Sequence, residues 1–187
     1  MSKYSPGALN IQNIVTAGAV ADSLDLKRLA ETLPECRYRK SRFPGAVYSM
    51  QNPKAVALLF ASGKVVLTGL TRLEDIPLSL QNLVQILRSC GVACPGTASV
   101  TVKNIVCTSS LGNECSLAKI MISLMDTEQV EYEPETFPGL VCRITDPKIV
   151  FLLFSSGKIV ITGGTTMADV ARGLDVFLQK LHQIGVR

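Results

Sequence analysis

The sequence lacks the features by which several classes of protein are recognised. It has no tryptophan and a single histidine, His182, among its 187 residues. No stretch approaches the roughly 18 uninterrupted apolar residues that a membrane span needs, and the initial MSKYSPGALN has no apolar signal-peptide region. We therefore expect a soluble, intracellular chain that does not contact a membrane.

Catalytic and metal-binding patterns are also missing. The six cysteines form no Cys-x-x-Cys pair and have no histidine near them, so we expect reduced thiols that pack as small apolar side chains. His182 is predicted to lie in the last turn of the final helix, where a cation suits the helix dipole. No recurring pair of carboxylates is present, and SSGK lacks the spacing of a phosphate-binding loop. The sequence predicts no enzyme, no metal site and no cofactor.

Apolar residues are abundant, at 47% of the chain, which predicts a folded protein with a sizeable core. The formal net charge is +4, from 19 basic and 15 acidic residues. This charge permits an anionic partner without requiring one.

An internal repeat organises the chain. The segment FPGAVYSMQNPKAVALLFASGKVVLTGLT from Phe43 aligns without a gap on FPGLVCRITDPKIVFLLFSSGKIVITGGT from Phe137, and IQNIVTA from Ile11 aligns on VKNIVCT from Val102. The unit is therefore a half-protein of about 90 residues that is present twice. We place the first repeat at residues 1–95 and the second at residues 96–187.

Each repeat has the same predicted order: a strand, a helix, several strands and a last helix. The first helix is expected to follow Asp25 as its N-cap, and the last helix of the first repeat to begin at Asp75, so that Pro77 lies in its first turn. Gly91 and Gly185 are expected to end the last helices. The fold class is therefore α+β, with two pseudo-symmetric repeats forming one antiparallel sheet of about ten strands and four helices.

The strands on either side of the predicted Ser-Gly hairpin turns are apolar on both faces. Alternation places Leu58, Phe60 and Val66 on one face and Leu59 and Leu67 on the other. Such strands normally need cover on both sides, yet two helices per repeat can cover only one. Either the repeats pack as a sandwich, or an apolar face is left open for a partner.

Repeated polar residues favour the open face, because a sandwich core would disfavour buried amides without partners. The amides and hydroxyls are those of Asn13, Asn104, Thr68 and Thr162. Cations lie beside the apolar stretches: Arg42, Lys64, Arg143 and Lys158. An apolar floor with sparse polar groups and a cationic rim suits the minor groove of DNA.

The motifs QNIV, RFPG, FASGKVVLTG, KNIV, YEPETFPGLVCRI and FLLFSSGKIVITGG resemble those of the TATA-binding protein family of general transcription initiation factors. The resemblance covers nearly the whole chain. It implies a saddle with its helices on the convex face and its concave sheet face along an A·T-rich minor groove, and this family is itself a standard example of wedging between base steps. The residues ITGG at the end of the last motif, together with the expected lack of an N-terminal extension, resemble archaeal members of the family. That implies the cytoplasm or nucleoid; a eukaryotic member would be nuclear.

The resemblance implies a role for each matching residue. Four residues match the wedges that kink DNA: Phe43, Phe60, Phe137 and Phe154. Their loops are stiffened and their rings supported by Pro44, Pro138, Leu58 and Leu152. Positions that hydrogen-bond to groove acceptors are Asn13, Asn104, Thr68 and Thr162. The apolar floor contains Val15, Val66, Val106 and Val160. Phosphate contacts are expected from Arg42, Lys64, Arg143 and Lys158.

One residue departs from the family pattern. The family usually has an arginine at the position of Ser49, which matches Arg143 in the second repeat. One phosphate contact is therefore in doubt, and the first repeat is expected to grip DNA less firmly.

The resemblance also implies partners. Glu133 and Glu135 lie in the loop that docks transcription factor IIB, or its archaeal form TFB, and this factor connects the complex indirectly to RNA polymerase. Without the resemblance, these glutamates would be interpreted as solvated loop charges. The open face also permits a homodimer when the protein is free of DNA, and the sequence leaves the oligomeric state open.

Two other binding functions remain as alternatives. One is a paralogue that keeps the fold but uses its open face for protein interaction or for nucleic acid without a TATA element. Such a chain should have lost its wedges, and all four are present. The other is the related fold appended to nucleic-acid enzymes, which usually occurs as one unit fused to a catalytic domain.

Overall fold

The computed structural model describes residues 8–96, 98–126 and 128–186, and each repeat folds into the same order of elements. In the first repeat these are β1 (Asn10–Ala19), α1 (Leu26–Thr32), β2 (Cys36–Tyr38), β3 (Ala46–Gln51), β4 (Lys54–Leu59), β5 (Lys64–Leu70) and α2 (Asp75–Ser89). In the second they are β6 (Ser99–Ser110), α3 (Leu117–Leu124), β7 (Gln129–Glu131), β8 (Leu140–Ile144), β9 (Ile149–Leu153), β10 (Lys158–Gly164) and α4 (Met167–Gln183).

The strands are hydrogen-bonded in the order β2-β3-β4-β5-β1-β6-β10-β9-β8-β7. Strands β3 to β5 and β8 to β10 pair antiparallel with their neighbours in the chain, and β1 pairs antiparallel with β5 as β6 does with β10. The predicted fold class, an antiparallel sheet of ten strands with four helices in two matching repeats, is confirmed for the described residues.

The chain forms two compact units, and the boundaries between them fall within β1 and within β6, its two longest strands. One unit contains the described residues from 13 to 103, and the other contains the described residues before 13 and after 103. The start of β1 therefore belongs with the second repeat, and the start of β6 with the first. The repeat boundary after residue 95 stays a prediction from the sequence.

Helices cover one face of the sheet in each unit. Along β4, Ala57 and Leu59 are fully buried, whereas Val56 and Leu58 are half-exposed. In the second repeat, the rings of Phe151 on β9 and Phe177 on α4 stack with their centroids 4.5 Å apart. The core of each unit therefore lies between its helices and this face of its strands.

The ends of the helices agree with the sequence. Asp25 caps α1, and its side chain accepts a hydrogen bond from Arg28 N at 3.0 Å. Helix α2 begins at Asp75, which places Pro77 in its first turn. Gly91 and Gly185 each have a φ of +80° just beyond a helix end, a conformation in which glycine is favoured.

The hairpin turns also require glycine. Gly63 and Gly157 join β4 to β5 and β9 to β10 with φ of +77° and +79°. A Cβ on Gly63 would lie 1.7 Å from the carbonyl oxygen of Ala21, so no side chain fits there.

All six cysteines are free thiols, and Cys36, Cys107 and Cys142 are buried. Burial, assisted by the Glu128 carboxylate, raises the pKa of Cys142 to about 11. This thiol therefore stays protonated at neutral pH and packs as an apolar group, as predicted. Within the described ranges, no helix has the length and hydropathy that a membrane span needs.

We expect Phe177→Ala to lower the free energy of unfolding by about 3 to 5 kcal/mol, because the substitution leaves a cavity against Phe151. Urea denaturation measures the change. Ile122→Ala on α3 is the control: its side chain is 69% exposed, and the expected change is within about 0.5 kcal/mol. Equal unfolding midpoints for the two variants would contradict this account of the core.

Candidate nucleic-acid interface

The face that the helices leave uncovered is built from aligned apolar rows. In the first repeat, Val47 pairs with Leu58, which pairs with Val66. All three side chains are half-exposed, whereas the residues just before and just after each of them in the chain are buried. Opposed residues in an antiparallel sheet share a face, so this row lies on the open face.

The second repeat forms the same row from Val141, Leu152 and Val160, all half-exposed. Since these side chains are half-exposed in the folded chain, no second layer of described residues buries them. The sandwich alternative is therefore wrong, and each repeat presents an apolar sheet face.

Beside these rows, β1 and β5 form a β-bulge. Ile14 pairs with Leu70 and Thr16 with Leu67, so Thr68 and Gly69 together oppose Val15. Gly69 has a φ of +90°, which allows the chain to bulge at this point.

The bulge fixes the amide of Asn13. Its Oδ1 accepts a hydrogen bond from Gly69 N at 2.7 Å, and its Nδ2 donates to Thr68 Oγ1 at 3.1 Å. An amide nitrogen carries two hydrogens, so one N–H is left for an external acceptor on the open face.

The second repeat reproduces this arrangement. Thr162 and Gly163 oppose Val106 at the shift between β6 and β10, and Gly163 has a φ of +102°. Asn104 Oδ1 accepts from Gly163 N at 2.8 Å, and Asn104 Nδ2 donates to Thr162 Oγ1 at 3.1 Å. Each repeat thus presents one amide N–H beside a half-exposed valine, Val15 or Val106.

Two phenylalanine pairs lie next to the apolar rows. The ring centroids of Phe43 and Phe60 are 5.8 Å apart in an edge-to-face arrangement, and those of Phe137 and Phe154 are also 5.8 Å apart. All four rings are half-exposed. Pro44, before β3, and Pro138, before β8, are both exposed.

Gly45 and Gly139, which sequence reasoning overlooked, give the rings their space. A Cβ on either residue would approach Cε1 of the adjacent ring, Phe43 or Phe137, to 2.7 Å. Their repetition within the FPG motif was the available signal. The bulge glycines Gly69 and Gly163 were overlooked too, although TG recurs in both repeats.

The four expected cations lie around this face but differ in their exposure and in whether they form an ion pair. Lys64 and Lys158 are exposed at the first residues of β5 and β10, and Arg42 is exposed just before Phe43. Arg143 lies within the open face of β8 and forms an ion pair with Glu131, with 2.8 Å between Nη1 and Oε1. Ser49, the matching residue of the first repeat, is exposed.

Glu133 and Glu135 are exposed in the loop between β7 and β8. The backbone oxygen of Glu133 accepts hydrogen bonds from Thr136 N and Phe137 N, both at 2.9 Å, which tightens the loop before Phe137. Neither glutamate forms an ion pair with a described residue, so both carboxylates are available to a basic partner.

The groups that this face presents are suited to the recognition of a surface. Within the described residues, no group of three or more His, Cys, Asp and Glu side chains could hold a metal ion. Oriented amides, an apolar floor and exposed aromatic rings can together bind a surface rich in hydrogen-bond acceptors and stacked rings.

Comparisons with known proteins agree with this geometry. The family model "Transcription factor TFIID (or TATA-binding protein, TBP)" matches residues 8–90 and 99–184. TATA-box-binding protein D of Halobacterium salinarum is 41% identical over 178 residues, covering 95% of each chain. TATA-box-binding protein 1 of Methanosarcina acetivorans is 41% identical, covering 97% of this chain and 99% of its own.

A solved structure described as Methanococcus jannaschii TBP matches with a TM-score of 0.82 and 36% identity. The match covers 94% of this chain and 98% of that one. Both repeats are therefore included in the similarity.

We expect Gly69→Ala to destabilise the fold by about 1 to 2 kcal/mol, because an alanine at a φ of +90° is strained. The nearest atom to the new Cβ would be 3.7 Å away, so a clash is not the cause. Gly96→Ala is the control, since its Cβ would meet open space and its φ is not positive. Denaturation midpoints that fall equally for both variants would show that the bulge does not depend on glycine.

Proposed function

This chain belongs to the TATA-binding protein family, and we propose that it is a general transcription initiation factor that binds A·T-rich TATA promoter elements through the minor groove. The observation that carries the proposal is the open apolar face with its two oriented amides, Asn13 and Asn104.

The floor and the amides together favour A·T pairs. In the minor groove, A·T and T·A present only hydrogen-bond acceptors, whereas guanine adds an amino donor. Val15 and Val106 cannot accept a hydrogen bond, so a guanine amino group against them would stay unpaired. The free N–H of each asparagine instead meets an acceptor.

The phenylalanine pairs act as wedges. The half-exposed rings of Phe43, Phe60, Phe137 and Phe154 insert between base steps and kink the duplex. Unstacking costs a few kcal/mol per step, and burial of each ring returns roughly 1.5 to 3 kcal/mol. Leu58 and Leu152 support the rings from the central rows of the sheet, and Pro44 and Pro138 restrict the loops that carry them.

The cations and the acidic loop complete the proposed interface. Lys64, Lys158, Arg42 and Arg143 contact backbone phosphates, which makes the affinity fall with salt. Glu133 and Glu135 dock a IIB-type factor, which in turn recruits RNA polymerase. Without DNA, the same apolar face supports self-association into a homodimer.

The first test uses a TATA duplex labelled at both ends for energy transfer, with a G·C-rich duplex beside it. We expect tight binding and a shortened end-to-end distance for the TATA duplex only. In Phe137→Ala the affinity falls about 10-fold to 150-fold, the equivalent of the lost ring burial.

Ile122→Ala, on the helix-covered side of the sheet, is the control and should bend DNA as the wild type does. Equal affinity for both duplexes without bending would overturn the proposal. It would favour the alternative in which the open face serves a protein.

A second test concerns the acidic loop. Glu135→Arg should leave binding to the TATA duplex intact but weaken recruitment of the IIB-type factor at least 10-fold, because an attractive charge becomes repulsive. Gel-shift titration of the factor on the preformed DNA complex measures this. Glu114→Arg, another exposed acidic position, is the matched control. Similar recruitment by both variants would remove Glu135 from the docking surface.

A further inference from the structure

The two repeats present opposite charges on the same loop backbone. Residues 37–42 are RYRKSR, with four basic and no acidic side chains, and the matching residues 131–136 are EYEPET, with three acidic and no basic ones. In the first loop, Arg42 N and Phe43 N donate to Arg39 O at 2.9 and 3.1 Å. The second loop makes the equivalent bonds to Glu133 O. The charge difference is therefore not accompanied by a different turn.

Strand register places Arg37 on the open face. Arg37 on β2 pairs with Val47 on β3, which pairs with Leu58 on β4. Its neighbour Cys36 is buried on the helix side, whereas Arg37 is exposed. Arg37 therefore extends the apolar row of the first repeat at the outer strand of its sheet.

The second repeat has a glutamate at this place. Glu131 on β7 pairs with Val141, which pairs with Leu152, and its carboxylate binds Arg143 of the adjacent row. The two positions hold an acid and a base in the second repeat, with no net charge. In the first repeat the same two positions are occupied by Arg37 and Ser49, with a net charge of +1.

The second repeat has its arginine, Arg143, on β8. The first repeat has Ser49 at the matching place on β3 and carries its arginine, Arg37, on the neighbouring strand β2. Arg37, Arg39, Lys40 and Arg42 are all exposed, and none of them forms an ion pair with a residue that the structure describes. In the second repeat, Glu131 neutralises the arginine that faces the same surface. The first repeat therefore carries more free positive charge beside its wedge pair.

We propose that Arg37, together with Arg39 and Lys40, forms a phosphate-binding surface that holds the DNA backbone beside the first repeat and replaces the arginine missing at Ser49. This inference rests on the proposed function. The partner is a phosphodiester backbone because Arg37 continues the row whose apolar members face the groove, and the groove is bordered by phosphates. A guanidinium fork can bind two phosphate oxygens, whereas Ser49 offers only one hydroxyl.

The experiment measures affinity for the TATA duplex against salt concentration. One phosphate contact contributes about 0.9 to the slope of log affinity against log salt. We expect Arg37→Ser to reduce the slope by about 0.9, so that affinity falls about 3.5-fold less between 50 and 200 mM salt than it does for the wild type. The double variant Arg37→Ser with Ser49→Arg should regain the wild-type slope.

Arg72→Ser is the matched control, since Arg72 is an exposed arginine of the first repeat that pairs with Glu74 outside the sheet. Its slope should equal that of the wild type. A structural role for Arg37 would lower affinity without changing the slope and would not be rescued at position 49.

The outcomes separate this inference from the proposed function. Wild-type binding that is salt-sensitive, with an unchanged slope in Arg37→Ser, overturns the inference alone. Absence of TATA binding by the wild type overturns both. If Arg37→Ser leaves the DNA slope unchanged but abolishes binding of a polyglutamate peptide, the surface serves an acidic protein segment and the inference is wrong.

Discussion

Strands that are apolar on both faces must hide both faces from water, and the helices of each repeat pack against only one. Val47, Leu58 and Val66 consequently stay half-exposed, as do their counterparts Val141, Leu152 and Val160. Removing apolar surface from water is worth roughly 25 cal/mol for each Å², so covering these rows with a surface of matching shape is favourable. The polar groups at their margins decide which surface that is.

The two repeats share their backbone conformation and buried residues but differ in the charge of their surfaces. Buried positions, bulges and phenylalanine pairs are nearly identical in both, since each is fixed by packing or by a φ that only glycine adopts readily. The segments before Phe43 and Phe137 keep one turn but reverse their charge, from RYRKSR to EYEPET. A solvated side chain costs little to exchange, whereas a buried one disturbs its neighbours. The two repeats can therefore differ in surface charge without a change of fold.

The sequence predicts what is local and repeated. Caps at Asp25 and Gly91, the turn at Gly63 and the alternation around Leu58 depend on residues close in the chain, and each is found as predicted. The bulge at Gly69 could not be derived in this way, because it is defined by which residues of β1 and β5 face each other. The place of Arg37 was also hidden, since β2 has only three residues and shows no alternation of its own. Its face follows only from pairing with Val47.

In the proposed DNA complex, the bulges would let a flexible amide discriminate between bases. An asparagine side chain that could rotate by half a turn would offer either a donor or an acceptor, and could then satisfy a guanine amino group as well as an adenine nitrogen. The backbone N–H of Gly69 requires an acceptor, so it holds Oδ1 of Asn13 inward and leaves the N–H outward. Gly163 imposes the same orientation on Asn104. A rotated amide would set its N–H groups against the glycine N–H and forfeit a hydrogen bond worth about 1 kcal/mol. In the proposed complex, selectivity for acceptor-only base pairs would thus follow from the strand register that fixes each amide.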